Sequence, residues 1–96
     1  MKKEFGLPLS RRVNFKTTLK RANLFQVSKI NRRQLKLEPD QVLRVGIGGL
    51  GGGWEFFYAR MGKDGRIFIP KAVLFAAHGK EENLVGLLVE ITLEPT

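Results

Sequence analysis

An internal repeat constrains this chain more than any other feature. The stretch Lys63-Asp64-Gly65-Arg66-Ile67-Phe68-Ile69-Pro70-Lys71 has a degraded copy 42 residues upstream, where Asn23-Leu24-Phe25-Gln26-Val27-Ser28-Lys29 repeats its second half. At that offset Asn23 aligns with Gly65, Phe25 with Ile67, Val27 with Ile69 and Lys29 with Lys71; further back, Phe15 aligns with Phe57 and Leu19 with Met61. Asn and Gly best tolerate a left-handed backbone, so their match at a turn has a steric meaning. The 96 residues suit one domain with one core. The repeat divides that domain into two sister halves.

Apolar alternation gives both halves the same order of elements. Residues 13–19 read as a strand with Val13, Phe15, Thr17 and Leu19 on one face. Residues 20–23 turn, and 24–28 form a second strand with Phe25 and Val27 inward. Residues 30–36 form a short helix with Ser28 as its N-cap, ended by Leu37-Glu38-Pro39-Asp40. Residues 41–47 form a third strand, with Leu43, Val45 and Ile47 on one face. The second half repeats this as a strand over 54–61, a turn over 62–65, a strand over 66–70, a helix over 71–77 closed by Gly79, and a strand over 84–93. Matching Leu87, Val89 and Ile91 to Leu43, Val45 and Ile47 puts a two-residue insertion in the 78–83 loop.

Each strand–strand–helix–strand unit has a flat apolar face that it cannot bury alone. Two units facing each other are expected to close a mainly β, six-stranded barrel with two short helices, which also removes the sheet edges. The predicted organisation is a basic N-terminal arm over 1–12 and one barrel domain over 13–93. Within the barrel, half one spans 13–47, a Gly-rich connector 48–53, and half two 54–93.

The charge is high and lopsided. The net is +8 with a pI near 10.3. Residues 1–48 hold twelve Lys/Arg against three acids, a net of +9, whereas residues 49–96 hold five against six, a net of −1. Clustered cations point to a polyanionic partner, because phosphates reward them through counterion release. A merely soluble surface mixes its signs, and the first half does not. The chain has no cysteine, hence no disulfide framework or thiolate metal site. No apolar run is long enough to span a bilayer, and the first residues lack the apolar core of a secretory signal. The expected location is cytoplasmic, with no membrane partner.

Gly65-Arg66-Ile67-Phe68-Ile69-Pro70-Lys71, followed by a short helix, an acidic loop and a strand, resembles the AbrB/SpoVT-type swapped-hairpin DNA-binding domain. Leu35-Lys36-Leu37-Glu38-Pro39-Asp40-Gln41-Val42 is similar to the end of the same motif with one glycine missing, so the chain looks like two tandem copies. The resemblance implies a cradle-loop barrel of swapped-hairpin, RIFT or double-psi strand order. It also implies double-stranded DNA bound on a basic surface by a transcriptional regulator or chromatin-associated factor, with a homodimer in keeping. Carried over, the arginine after the glycine is Arg66, and the basic residues early in the helix are Arg32 and Arg33. Leu24 stands at the place equivalent to Arg66 in the first half, and Ala72–Ala77 carries no basic residue, which implies an asymmetric binder or a second half that instead presents Val73, Leu74 or Phe75 to a partner or dimer mate. The residues themselves add Lys20, Arg21 and Lys63 beside the equivalent turns, Lys29 and Lys36 beside the first helix, and Arg11 and Arg12 next to the arm. Two other readings stay open: an adaptor for an acidic protein, and non-specific RNA binding.

The remaining motifs carry no catalytic expectation. Gly46-Ile47-Gly48-Gly49-Leu50-Gly51 spells a GxGxxG, but a strand follows it where a dinucleotide site needs a helix. His78 stands alone at a helix end, and Glu81-Glu82 reads as a solvated pair. No enzyme activity, cofactor or metal is expected. In Trp54, Phe56, Phe57 and Tyr58, alternation sends Phe57 to the core and leaves Trp54 or Phe56 outside as contact candidates.

Overall fold

A computed structural model of the protein describes residues 12–51, 53–79 and 84–96. Its strands are β1 (Val13–Thr18), β2 (Leu24–Gln26), β3 (Val42–Gly48), β4 (Glu55–Arg60), β5 (Arg66–Phe68) and β6 (Leu88–Pro95). Two helices accompany them, α1 (Lys29–Gln34) and α2 (Lys71–His78). The expected elements form in the expected order. Ser28 caps α1 by accepting a hydrogen bond from the Asn31 N–H. Gly79 closes α2 in the left-handed region at φ 82°.

The predicted closed barrel does not form. The strands divide into an antiparallel four-stranded sheet in the order β1-β6-β3-β4 and a two-stranded ribbon of β2 with β5. Neither closes on itself, so the fold is mixed β/α, mainly β, with β1 and β4 as open edges. The ladders stop at two corners. Between β1 and β2 only a Lys20–Leu24 bridge survives, because Ala22 and Asn23 turn the chain through left-handed conformations at φ 63° and 57°. Between β4 and β5 the equivalent link is a single bond from the Gly62 N–H to the Arg66 carbonyl, 2.8 Å. Closure is also unnecessary for burial. The inner face of the sheet presents Leu43, Val45, Ile47, Val89, Ile91 and Leu93. The ribbon's Phe25 and Ile67, with Val27, Ile69, Leu35 and Leu74, complete the same buried cluster. One sheet face against a ribbon and two helices is a layered solution to the same problem.

The pairings themselves are reciprocal. Exchange β1 for β4, β2 for β5 and β3 for β6, and every ladder maps onto another: β1–β6 onto β4–β3, with β2–β5 and β3–β6 each onto itself. In the ribbon Phe25 lies opposite Ile67, its own counterpart in the repeat. The bond from the Val27 N–H to the Gly65 carbonyl is mirrored by that from the Ile69 N–H to the Asn23 carbonyl. For the last strands the correspondence differs from the sequence match. Phe15 faces Ile91 while its counterpart Phe57 faces Val45, and Thr17 faces Val89 while Ala59 faces Leu43. Leu43, Val45 and Ile47 therefore correspond to Val89, Ile91 and Leu93, two residues further along than expected. Leu87 lies outside β6 and is exposed. A slip of two keeps every side chain on its own face, so alternation is blind to it.

Asn23 and Gly65, aligned by the repeat, both stand at positive φ, 57° and 81°. Gly65 is further pinned because a Cβ there would lie 2.6 Å from the Val27 carbonyl oxygen. Gly65→Ala is expected to lower stability by at least about 2 kcal/mol, the sum of a left-handed penalty and a backbone clash. Asn23→Gly should leave stability equal or slightly higher. Urea titration of both variants measures the contrast.

Candidate nucleic-acid interface

The basic residues singled out in the sequence converge around the ribbon and α1. A hollow of about 430 Å³ is lined by Lys20, Leu24, Gln26, Arg32, Asp64 and Arg66. A second, of about 340 Å³, is lined by Lys29, Arg32, Arg33, Lys36, Glu38 and Lys63 among others. Arg32 belongs to both and joins them into one basic channel. The fold makes this from distant segments. Lys20 follows β1 in the bridge to Leu24, Arg32 sits mid-α1, and Arg66 opens β5 opposite Gln26 in the ribbon. The Asn31–Gln34 turn of α1 is held by Ser28 at its start and by Leu35 in the core at its end.

Arg32 is positioned by packing rather than by an acid. Its Nε lies 3.0 Å from where a Gly65 Cβ would stand, and Nη1 reaches the Lys63 carbonyl only at 3.5 Å. Among the described residues no salt bridge involves Arg32, and its Nε is a buried donor with no partner. Among the described residues its guanidinium thus has no carboxylate bonded to it. Arg66 differs, since its Nη2 donates to Asp64 Oδ2 at 2.7 Å. The Arg66 hydrogen bond, then its charge, hold the Asp64 carboxyl below its ordinary value, with Arg32 and Lys63 adding to the effect. Gln26 Nε2 donates to the Asp64 carbonyl at 2.7 Å and ties the turn to the ribbon.

Of the remaining expected contacts, Arg21 is exposed in its turn and lines neither hollow. Arg12 reaches Glu94 at 3.4 Å, where Arg44 also donates at 2.8 Å. Arg11 and the rest of the N-terminal arm fall outside the described residues. Gln26 and Asp64 were not anticipated. His78 Nδ1 lies 3.3 Å from the Leu50 carbonyl. Among the described residues no group of His, Cys, Asp or Glu could hold a metal ion. No helix among them is long and apolar enough to cross a membrane.

The chain is similar to PHS018 from Pyrococcus horikoshii, whose solution structure matches with a TM-score of 0.71 at 26% identity, covering 85% of this chain and 88% of that one. No family model matches the chain. No curated protein matches it. The expected identity as an AbrB/SpoVT-type swapped-hairpin domain with a cradle-loop barrel is thereby overturned: the likeness is to PHS018, and this chain is a mixed β/α domain in which no sheet closes.

Asp64 competes with any phosphate for Arg66. Asp64→Asn is expected to raise oligonucleotide affinity severalfold and to steepen the log–log salt slope by up to about 0.9, one added phosphate contact. Because the folded carboxyl titrates below its unfolded value, the pairing is intact above the unfolded pKa and is lost as pH falls through the folded one. The affinity gap between wild type and variant should accordingly narrow on acidification below pH ~4. Fluorescence anisotropy at a series of pH values measures it.

Proposed function

We propose that the protein is a non-enzymatic, cytoplasmic DNA-binding protein that grips phosphates through the channel around Arg32. The observation that carries this reading is the sharing of Arg32 by two basic hollows, with Lys20 and Arg66 on one side and Lys29, Arg33, Lys36 and Lys63 on the other. Such a row of cations, opposed among the described lining residues by Asp64 and Glu38, rewards a polymer that presents successive phosphates. Arginine forks onto phosphate oxygens, while lysine acts as a point charge, so the channel grips a backbone without reading bases.

Salt titration of duplex DNA of mixed sequence tests the reading. With Lys20, Lys29, Arg32, Arg33, Lys63 and Arg66 each neutralising one phosphate, the log–log slope should lie near about −5. Arg32→Ala and Arg66→Ala together should weaken binding about tenfold or more with little change in melting temperature. A slope near zero, or binding that survives both substitutions, would contradict the reading. Salt-insensitive capture of an acidic protein would assign the channel to a protein partner instead.

A further inference from the structure

A row of rings on the outer face of the sheet is left unburied. Trp54, Phe56 and Tyr58 alternate along the edge of β4 and are 44%, 46% and 66% exposed. Phe57 and Ala59, which alternate with Phe56 and Tyr58, point inward against the core. Packing uses only the inner side of this row. On the neighbouring strand Gly48 and Gly46 have no side chains, and the Trp54 indole lies across Gly48, 2.6–3.0 Å from where a Cβ would stand. The Phe56 ring edge covers Gly46, where a Cβ would collide with that ring and with Thr92 Oγ1. Trp54 and Phe56 stand 22° from parallel with centroids 6.3 Å apart.

Cations are interleaved with the rings. The Arg44 guanidinium lies 4.1 Å from the Phe56 centroid, and Arg44 pairs across the ladder with Tyr58. Lys16 and Arg60 flank the row, against Glu90 and the Glu94 that Arg44 and Arg12 already neutralise. Arg60, at the far end of the row, donates to the Asp40 carbonyl at 3.1 Å, and Glu38 and Pro39, just before Asp40, line the second basic hollow. The Arg60 end of the row thus lies beside that hollow. Alternate residues on a strand stand about 6.8 Å apart, the order of one nucleotide step in an extended single strand.

We propose that this face is a stacking platform for unpaired bases, so that the DNA gripped by the basic channel is held as a single strand with bases on Trp54, Phe56 and Tyr58. The proposal rests on the phosphate reading above and names the form of the ligand. Every base has a π-face, so stacking is sequence-tolerant, and arginine over a ring adds a cation–π contribution. A second copy of the chain is a poorer occupant. A two-fold contact would bring Lys16, Arg44 and Arg60 against the same cationic face of the mate.

Trp54 is the single tryptophan of the chain, so its emission reports on the platform directly. Titration with an oligothymidylate of about 15 nucleotides, and with a blunt duplex of the same length, is the test. The single strand should quench Trp54 emission and bind about tenfold or more tightly than the duplex. Tyr58→Ala should weaken single-strand binding about tenfold while leaving duplex binding and the melting temperature unchanged. Arg66→Ala should weaken both. Equal binding of the two polymers with no effect of Tyr58→Ala, or unchanged emission at saturation, would overturn the platform and leave the phosphate reading standing. Failure of both polymers to bind would remove both. Quenching that follows protein concentration without oligonucleotide, with a dimer in sedimentation, would give the face to a second copy.

Discussion

The antiparallel pairing of β3 with β6 is the constraint on which the rest of the molecule depends. These strands form the centre of the sheet, and each is flanked by the first strand of the opposite half. Neither half can complete its own sheet: β1 needs β6, and β4 needs β3. The inner faces of the central pair bring Leu43, Val45 and Ile47 beside Val89, Ile91 and Leu93, all essentially free of solvent contact. Burying six such side chains supplies on the order of 10 kcal/mol of gross stabilisation before chain entropy is charged against it. The ribbon follows from the same exchange. Once the first strands have crossed, the turns after them lie close enough for Phe25 to pair with Ile67.

That exchange also builds the candidate interface. Arg32 comes from the first half and Arg66, Asp64 and Lys63 from the second, and the ribbon is what brings them together. The first half carries the surplus of positive charge, and the second contributes the glycine whose missing side chain lets Arg32 lie close. Gly65 therefore serves two contacts at once: its left-handed turn shapes β5, and its bare Cα leaves room for the Arg32 guanidinium. The aromatic face arises in a comparable way. Gly46 and Gly48 leave a trough in the outer surface, and Trp54 and Phe56 from the adjacent strand settle into it.

Much of this was legible in the residues. Alternation located all six strands, and Ser28 and Gly79 marked helix ends that the backbone bears out. The Asn23–Gly65 match pointed to two left-handed turns, and both exist. What escaped were properties that local pattern does not encode. The barrel expectation assumed that open edges must be removed, whereas the chain leaves β1 and β4 as edges and covers its core by layering. The two-residue slip in β6 escaped because alternation repeats every second residue. Gly48 read as part of a connector, yet it is a ladder residue roofed by Trp54, as Gly46 is by Phe56. The convergence of Lys20 with Arg32 depended on the ribbon, a contact between halves that no single stretch of sequence announces. The AbrB-type resemblance rested on a short motif around β5 and a partial match over residues 35–42, and short motifs do not by themselves decide how sheets close.

Backbone amide NMR during titration with single-stranded DNA measures the central claim most directly, because it shows where the polymer lies without altering any residue. The account predicts that perturbed amides form one continuous band from Trp54 through Tyr58 and Arg60 to Lys63, Arg66 and Arg32, with α2 and the turn at Val85–Gly86 unmoved. Perturbations confined to α2, or scattered without a band at saturating polymer, would contradict it.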